Sequence, residues 1–211
     1  MDNSKAKITR TVVILATAIL IVDQIVKILV KTNMQIGEDI RIFDWFHIHF
    51  IENLGFAFGM AMGGSVGKVL LTLVRLAASI LIVWIIARLI RREGRRSLII
   101  SLTLILAGAV GNLVDSCFYG LIFNESYYSV ASLFPDGGGY GHFLQGRVVD
   151  MFYFPLFAFD WPQWMPVIGG RHFEFFNAIF NVADASITIG VVWLAGDQLF
   201  SHDKKKEEAT E

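Results

Sequence analysis

Four aspartates, Asp23, Asp115, Asp150 and Asp184, lie in or beside the apolar stretches of this 211-residue chain. Three of them have a polar companion at helical spacing: Lys27 follows Asp23 by four residues, and Asn112 and Asn181 precede Asp115 and Asp184 by three. Such spacings put both side chains on one helix face. An Asp at the centre of a membrane helix is unfavourable by roughly 2.5–3.5 kcal/mol on insertion scales, so it is a functional-site candidate by default. Close, shielded carboxylates can do acid–base chemistry unaided. Repulsion and desolvation raise one pKa, one acid stays protonated while its neighbour is the base, and the pair titrates as a unit. That suffices to activate a water against a polarised carbonyl.

Other chemistries have less support. The single cysteine, Cys117, excludes an intrachain disulfide and a thiolate cluster. The five histidines form no H-E-x-x-H motif. His47 and His49 alternate in "FHIHF", which places them on one face of a strand and reads as interfacial surface. No metal, cofactor or nucleic-acid partner is expected.

The elements that must position the aspartates follow from hydropathy and charge. The chain is 55% apolar, more than a soluble domain of this size carries. Four runs reach the length a bilayer requires: about 11–30, 66–90, 97–114 and 175–200. The first resembles a secretory signal, but it is long and no small-x-small site follows, so it reads as a retained helix. Lys5, Lys7 and Arg10, then Arg88, Arg91, Arg92, Arg95 and Arg96, then Lys204 to Lys206 all fall on one side of a four-span protein. By the positive-inside rule that side is cytoplasmic. The fold class expected is an all-α membrane protein, a four-transmembrane-helix bundle over 1–211 as a single domain. It carries a small β-rich extracytoplasmic element and a long outer loop, and both termini are cytoplasmic. The outer segments are about 31–65 and 115–174, and 201–211 is a charged cytoplasmic tail. Short strands are expected in "DIRIFDWFHIHFIENLGFAFGM", and the aromatic density around "FYFPLFAFDWPQWMPVIGG" suits the membrane–water interface.

This topology gathers the acids. At 1.5 Å per residue, Asp23 is roughly 18 Å and Asp115 roughly 27 Å along outward-running helices. Asp184 is then roughly 13 Å below the outer end of the fourth helix, and Asp150 precedes that helix. All four occupy the outer half of the membrane or its outer face.

These residues resemble a family. "VDQIVK", "ENLGFAFGM", "GNLVDS", "GRVVDMF" and "FNVADASI" are similar, in order, to the five motifs of the lipoprotein signal peptidases, the aspartic peptidases called signal peptidase II. The resemblance covers nearly the whole chain. It implies Asp150 and Asp184 as the catalytic pair, and Asn53, Gly55, Asn112, Asp115, Asn181 and Asp23 as residues that line or support the site; Lys27 joins them as the partner of Asp23 at helical spacing. The implied substrate is a diacylglyceryl-modified prolipoprotein in the bacterial inner membrane, cut before its lipidated cysteine on the outer side by a monomeric enzyme among membrane lipids. Two departures stand out. Ser116 occupies a position where many members have Arg, with Arg147 a candidate to replace it, and the 118–146 connection is long for the family, suggesting a lid or a lipid-facing element. Arg75, inside the second span, either snorkels outward or pairs with one of the acids. The competing readings are a proton-coupled transporter or channel, which four spans with acids in one half of the bilayer fit poorly, and a scaffold whose polar groups only set helix packing.

Overall fold

All four prolines fall between residues 135 and 166, leaving the Leu/Ile/Val runs on either side free to form long helices. In a computed structural model, which describes residues 3–54 and 64–208 with side chains to residue 199, α1 spans Asn3–Lys31, α2 Gly64–Arg91 and α3 Arg96–Val114. The helix of α3 continues through a π turn, Asp115–Tyr119, and a short α4, Gly120–Ile122. Asn3–Lys31, Gly64–Arg91 and Arg96–Ile122 are each long and apolar enough to cross a membrane. The last helix, α5, is Val182–Glu208.

The helices are inside-out by the standards of a soluble protein. Ile14, Ile25, Leu70 and Ile80 are more than half exposed, whereas α1 buries Asp23, Lys27 and Lys31, and α2 buries Lys68, Thr72 and Ser79. Apolar groups facing out and polar groups facing in is the arrangement lipid requires. This is a membrane protein.

Two boundaries differ from the hydropathy reading. The third helix passes residue 114 and reaches Ile122, because Cys117, Phe118 and Leu121 prolong its apolar run. The last helix begins at Val182 and not near Phe175. Residues 175–181 hold the end of one strand, another short strand and the residue that caps the helix. Asp184 is therefore in the first turn of α5 and not about two turns inside it.

The strands expected in the first outer segment, β1 Asp39–Phe43 and β2 Phe46–Asn53, belong to a four-stranded antiparallel sheet in the order β1-β2-β3-β6, completed by two strands not expected from the sequence, β3 Val148–Tyr153 and β6 Ile179–Phe180. β3 is internal, pairing Ile51 with Asp150 on one side and Phe152 with Phe180 on the other. Period-two alternation turns Val149 and Met151 into a cluster with Phe50, Tyr119 and Phe123, leaving Asp150 on the opposite face. A separate hairpin, β4 Phe157–Asp160 and β5 His172–Phe175, carries a ladder of rings in which Phe157 stacks on Phe175 at 4.7 Å. The 118–146 connection folds back along the end of the third helix, with Gly141 N–H donating to Gly120 O and Gly146 N–H to Ser116 O.

α3 touches α1, α2 and α5, and glycine lets it approach α5 closely. A Cβ on Gly108 would sit 2.1 Å from the Ala183 carbonyl oxygen, and one on Gly190 would be 2.8 Å from Ser101 O. Small residues at such crossings let backbones meet inside a membrane. Replacing Gly108 by Ala should destabilise the protein by about 1–3 kcal/mol through overpacking. Gly196→Ala, in the same helix pair with nothing within 4 Å, should not; thermal unfolding of both variants in detergent checks this.

Candidate active site

Asn181 directly precedes α5 and caps it. Its side-chain Oδ1 accepts the Asp184 N–H at 2.9 Å, while the Asn181 N–H donates to Asp184 Oδ2 at 3.4 Å. This is a capping box built from Asn and Asp, and it fixes the Asp184 carboxylate at the positive end of the helix. The cap amide also reaches outward: Asn181 Nδ2 donates to Asp150 Oδ1 at 2.6 Å and to Asn112 Oδ1 at 3.1 Å. Asn112 Nδ2 donates to Asp184 Oδ1 at 2.7 Å. Two amides thus bridge Asp150 on β3 and Asp184 on α5. Asn53, the last residue of β2, donates to Asp150 Oδ2 at 3.4 Å.

Beneath this pair lies a buried ion cluster. Lys27 Nζ is 2.9 Å from Asp23 Oδ2, 2.7 Å from Asp115 Oδ2 and 2.8 Å from Asn112 Oδ1, so all three ammonium protons have partners. Gln24 Nε2 donates to Asp115 Oδ1 at 2.9 Å, and Tyr119 O–H donates to Gln24 Oε1 at 3.1 Å. Asp23 Oδ1 accepts the Ala183 N–H at 2.8 Å, tying α1 to the first turn of α5. A Cβ on Gly111 would be 2.7 Å from Asp23 Oδ2, so only glycine leaves room for this carboxylate.

The structure therefore brings together Asp23, Lys27, Asn53, Asn112, Asp115, Asp150, Asn181 and Asp184. Gly55 lies outside the described residues. Arg147 is elsewhere: its guanidinium engages Glu52 and Glu125 and lies over the Tyr140 ring. Glu52 in turn accepts from Lys31 and Ser126. At Ser116, the hydroxyl is met from α2, by Lys68 Nζ at 3.3 Å and Arg75 Nη1 at 3.4 Å. His47 and His49 both face Asp39, at 2.8 and 2.9 Å.

Gln24 and Lys68 were missed in the sequence. Lys68, Thr72, Arg75 and Ser79 recur at four, seven and eleven residues, a polar stripe on one face of an otherwise apolar helix, and that was the available signal.

The electrostatics are asymmetric. Burial, and secondly the neighbouring Asp184 charge, push Asp150 up to about 7. Asp184 is half-buried and lines an apolar cavity of about 420 Å³ with Phe176, Ala178, Phe180, Ala185 and Ile189. One carboxyl poised near neutrality beside another, at the mouth of an apolar cavity, is the arrangement general acid–base chemistry uses.

Fold and site together define a multi-span membrane protein with two amide-bridged carboxyls from different elements. The family model described as signal peptidase (SPase) II matches residues 15–200, and the chain belongs to that peptidase family. It is 46% identical over 186 residues to the lipoprotein signal peptidase of Porphyromonas gingivalis, covering 88% of this chain and 81% of that protein. The lipoprotein signal peptidase of Amoebophilus asiaticus is 34% identical over 203 residues, covering 93% of this chain and 82% of its own. A solved bacterial membrane enzyme shares the fold, with a TM-score of 0.58 at 24% identity over 93% of this chain and 92% of that one.

The Asp150 shift has a sign that can be tested. Its folded value lies above its unfolded value of 3.8. Its contribution to stability is therefore fully present below about pH 4 and is lost as pH rises through about 7. Asp150→Asn removes that loss. The variant should unfold at a higher temperature than wild type at pH 8, with the gap closing toward pH 4, in a thermal melt series.

Proposed function

We propose that this chain is a lipoprotein signal peptidase that removes the signal peptide from diacylglyceryl-modified prolipoproteins, with Asp150 and Asp184 as its catalytic pair. The observation that carries this reading is the Asp150–Asn181–Asn112–Asp184 bridge, which holds two carboxyls from different elements together at the edge of an apolar cavity. Asp150, close to neutrality, and Asp184 share one proton. The ionised member draws a proton from a water, which attacks the carbonyl before the lipidated cysteine. The protonated member hydrogen-bonds the carbonyl oxygen, and a proton is then delivered to the leaving amide nitrogen. Asn112 and Asn181 keep both carboxyls oriented, and Lys27 neutralises the acids behind them. Asn53 lies against Asp150 and, with Gly55, supports the substrate backbone.

α5 serves as a fourth span, with both termini cytoplasmic, the sheet and the pair on the outer face of the bacterial inner membrane, and the whole of 1–211 acting as one monomeric domain. The positive clusters favour that orientation. A signal peptide is an apolar helix whose acylated cysteine sits at the outer boundary, and the cavity beside Asp184 suits an apolar group next to the scissile bond. Arg147 supports the site indirectly, by pairing with Glu52 near the end of β2.

The test is cleavage of a diacylglyceryl-prolipoprotein in detergent with a chelator present. Wild type should cleave, and folded Asp150→Asn and Asp184→Asn should each lose at least about 10³-fold in rate, since both roles are lost with either acid. Failure of folded wild type to cleave would overturn the peptidase reading and favour proton transport, which a flux assay in vesicles would detect. Cleavage retained by either variant would move the catalytic role to Asp115 or Asp23.

A further inference from the structure

The polar stripe of α2 points at the site. Lys68 is fully buried, and Nζ donates to Leu54 O at 2.9 Å and to Ser116 Oγ at 3.3 Å. Arg75, two turns further along the helix and half-buried, places Nη1 3.4 Å from the same hydroxyl, and its charge interacts with those of Asp184, Asp115 and Asp150. Both cations lie in a segment long and apolar enough to cross a membrane, where a guanidinium is kept only if something requires it.

The charges that face one another can be counted by element. α1 brings Asp23 and Lys27, α2 brings Lys68 and Arg75, the π turn brings Asp115, β3 brings Asp150 and α5 brings Asp184. The remaining polar or titratable groups here, Gln24, Asn53, Asn112, Ser116, the Cys117 thiol beside Lys68, Tyr119 and Asn181, carry no charge near neutral pH. The neighbouring set of Lys31, Arg147, Glu52 and Glu125 balances itself. Among the described residues, four carboxylates thus face three cations. One proton makes this cluster neutral, and a shielded cluster favours neutrality. One proton on the Asp150–Asp184 pair is also what acid–base catalysis by two carboxyls requires.

We propose that Arg75 is a positioning residue of the site: with Lys68, it supplies from α2 the positive charge that holds the Asp150–Asp184 pair at a single shared proton. This rests on the reading of Asp150 and Asp184 as the reacting pair. Without Arg75 the cluster has four acids and two cations, so neutrality calls for a second proton. Both members of the pair are then protonated near neutral pH and no base remains. Raising the pH restores the base, so the defect is one of protonation and not of geometry. Arg75 lies against Ser116, which stands next to Asp115 in sequence and whose hydroxyl donates to the Asn112 carbonyl. An Arg at 116 could therefore deliver the same charge from the π turn.

The experiment measures kcat/KM against pH for a synthetic diacylglyceryl lipopeptide spanning the cleavage site, using the full chain in detergent. Arg75→Gln should move the acid limb upward by at least about one pH unit and lower the rate at pH 7 about tenfold, with wild-type rates approached at high pH. Arg75→Lys should keep the wild-type limb, and Arg75→Gln combined with Ser116→Arg should restore it. An unshifted limb in folded Arg75→Gln, or a loss equal at every pH that Ser116→Arg does not relieve, overturns the proposal. If Arg75→Gln does not fold, Lys68→Gln removes a cation from the same face and must shift the limb in the same direction; an unshifted profile there also overturns it. Asp150→Asn and Asp184→Asn are assayed alongside. Activity in either one removes the catalytic pair itself, whereas two inactive variants with an unshifted Arg75→Gln profile remove only the role of Arg75.

Discussion

The ammonium of Lys27 is the constraint on which the rest of this structure depends. It is wholly buried, and so are the two carboxylates it touches. Desolvating these three charges is costly, and only their mutual attraction and a full set of hydrogen bonds offset it. Every group recruited for that purpose comes from a different place: Asp23 from its own helix, Asp115 from the π turn and Asn112 from α3. Asp23 then takes the Ala183 N–H of α5, and Asp115 lies 3.4 Å from the Val149 N–H of β3. Satisfying one lysine thus fixes the relative positions of two helices, the start of a third and the central strand.

The same logic explains why neither member of the proposed catalytic pair stands in the middle of a helix. A carboxylate in the middle of an apolar helix has no free backbone donor of its own helix to accept from. Asp184 instead occupies the first turn of α5, where the Asn181 N–H is available and the helix end is positive. Asp150 lies on an internal strand with one face against the cluster of Phe50, Val149 and Met151, so its side chain has only the polar face of the sheet to enter. The amides of Asn112 and Asn181 suit this position because each offers both a donor and an acceptor without adding charge.

Much of this was legible in the sequence because membrane proteins write their polar contacts in high contrast. Asp23, Lys27, Asn112 and Asp115 stand out against Leu and Ile, and their spacing of three or four residues already says that each pair shares a face. The site residues in strands were legible from motif resemblance alone, since nothing local to Asn53 or Asp150 distinguishes them from surface polar groups. Hydropathy overran the start of the last helix because Phe175, Phe176 and Phe180 are as apolar as a span, yet they belong to strands and a turn, where aromatic side chains also fit. Gln24 escaped notice because its importance is purely tertiary: it meets Asp115 and Tyr119, more than ninety residues away. Arg147 was misleading for the same reason, since proximity in sequence to Asp150 does not bring its guanidinium to the same face.

The bond from Asp23 to the Ala183 amide joins the first helix to the last, and this has a consequence for biosynthesis. The capping box that orients Asp184 exists only once α5 has begun, and α5 is the final element to emerge. Until then Asp150 faces a half-built site that lacks both Asp184 and the bridging Asn181. The order of synthesis thus acts as a safety catch on a hydrolase made within the membrane that holds its substrates. No nascent chain that stops short of Asp184 contains both carboxyls, so the pair is completed only when the last helix docks against the first.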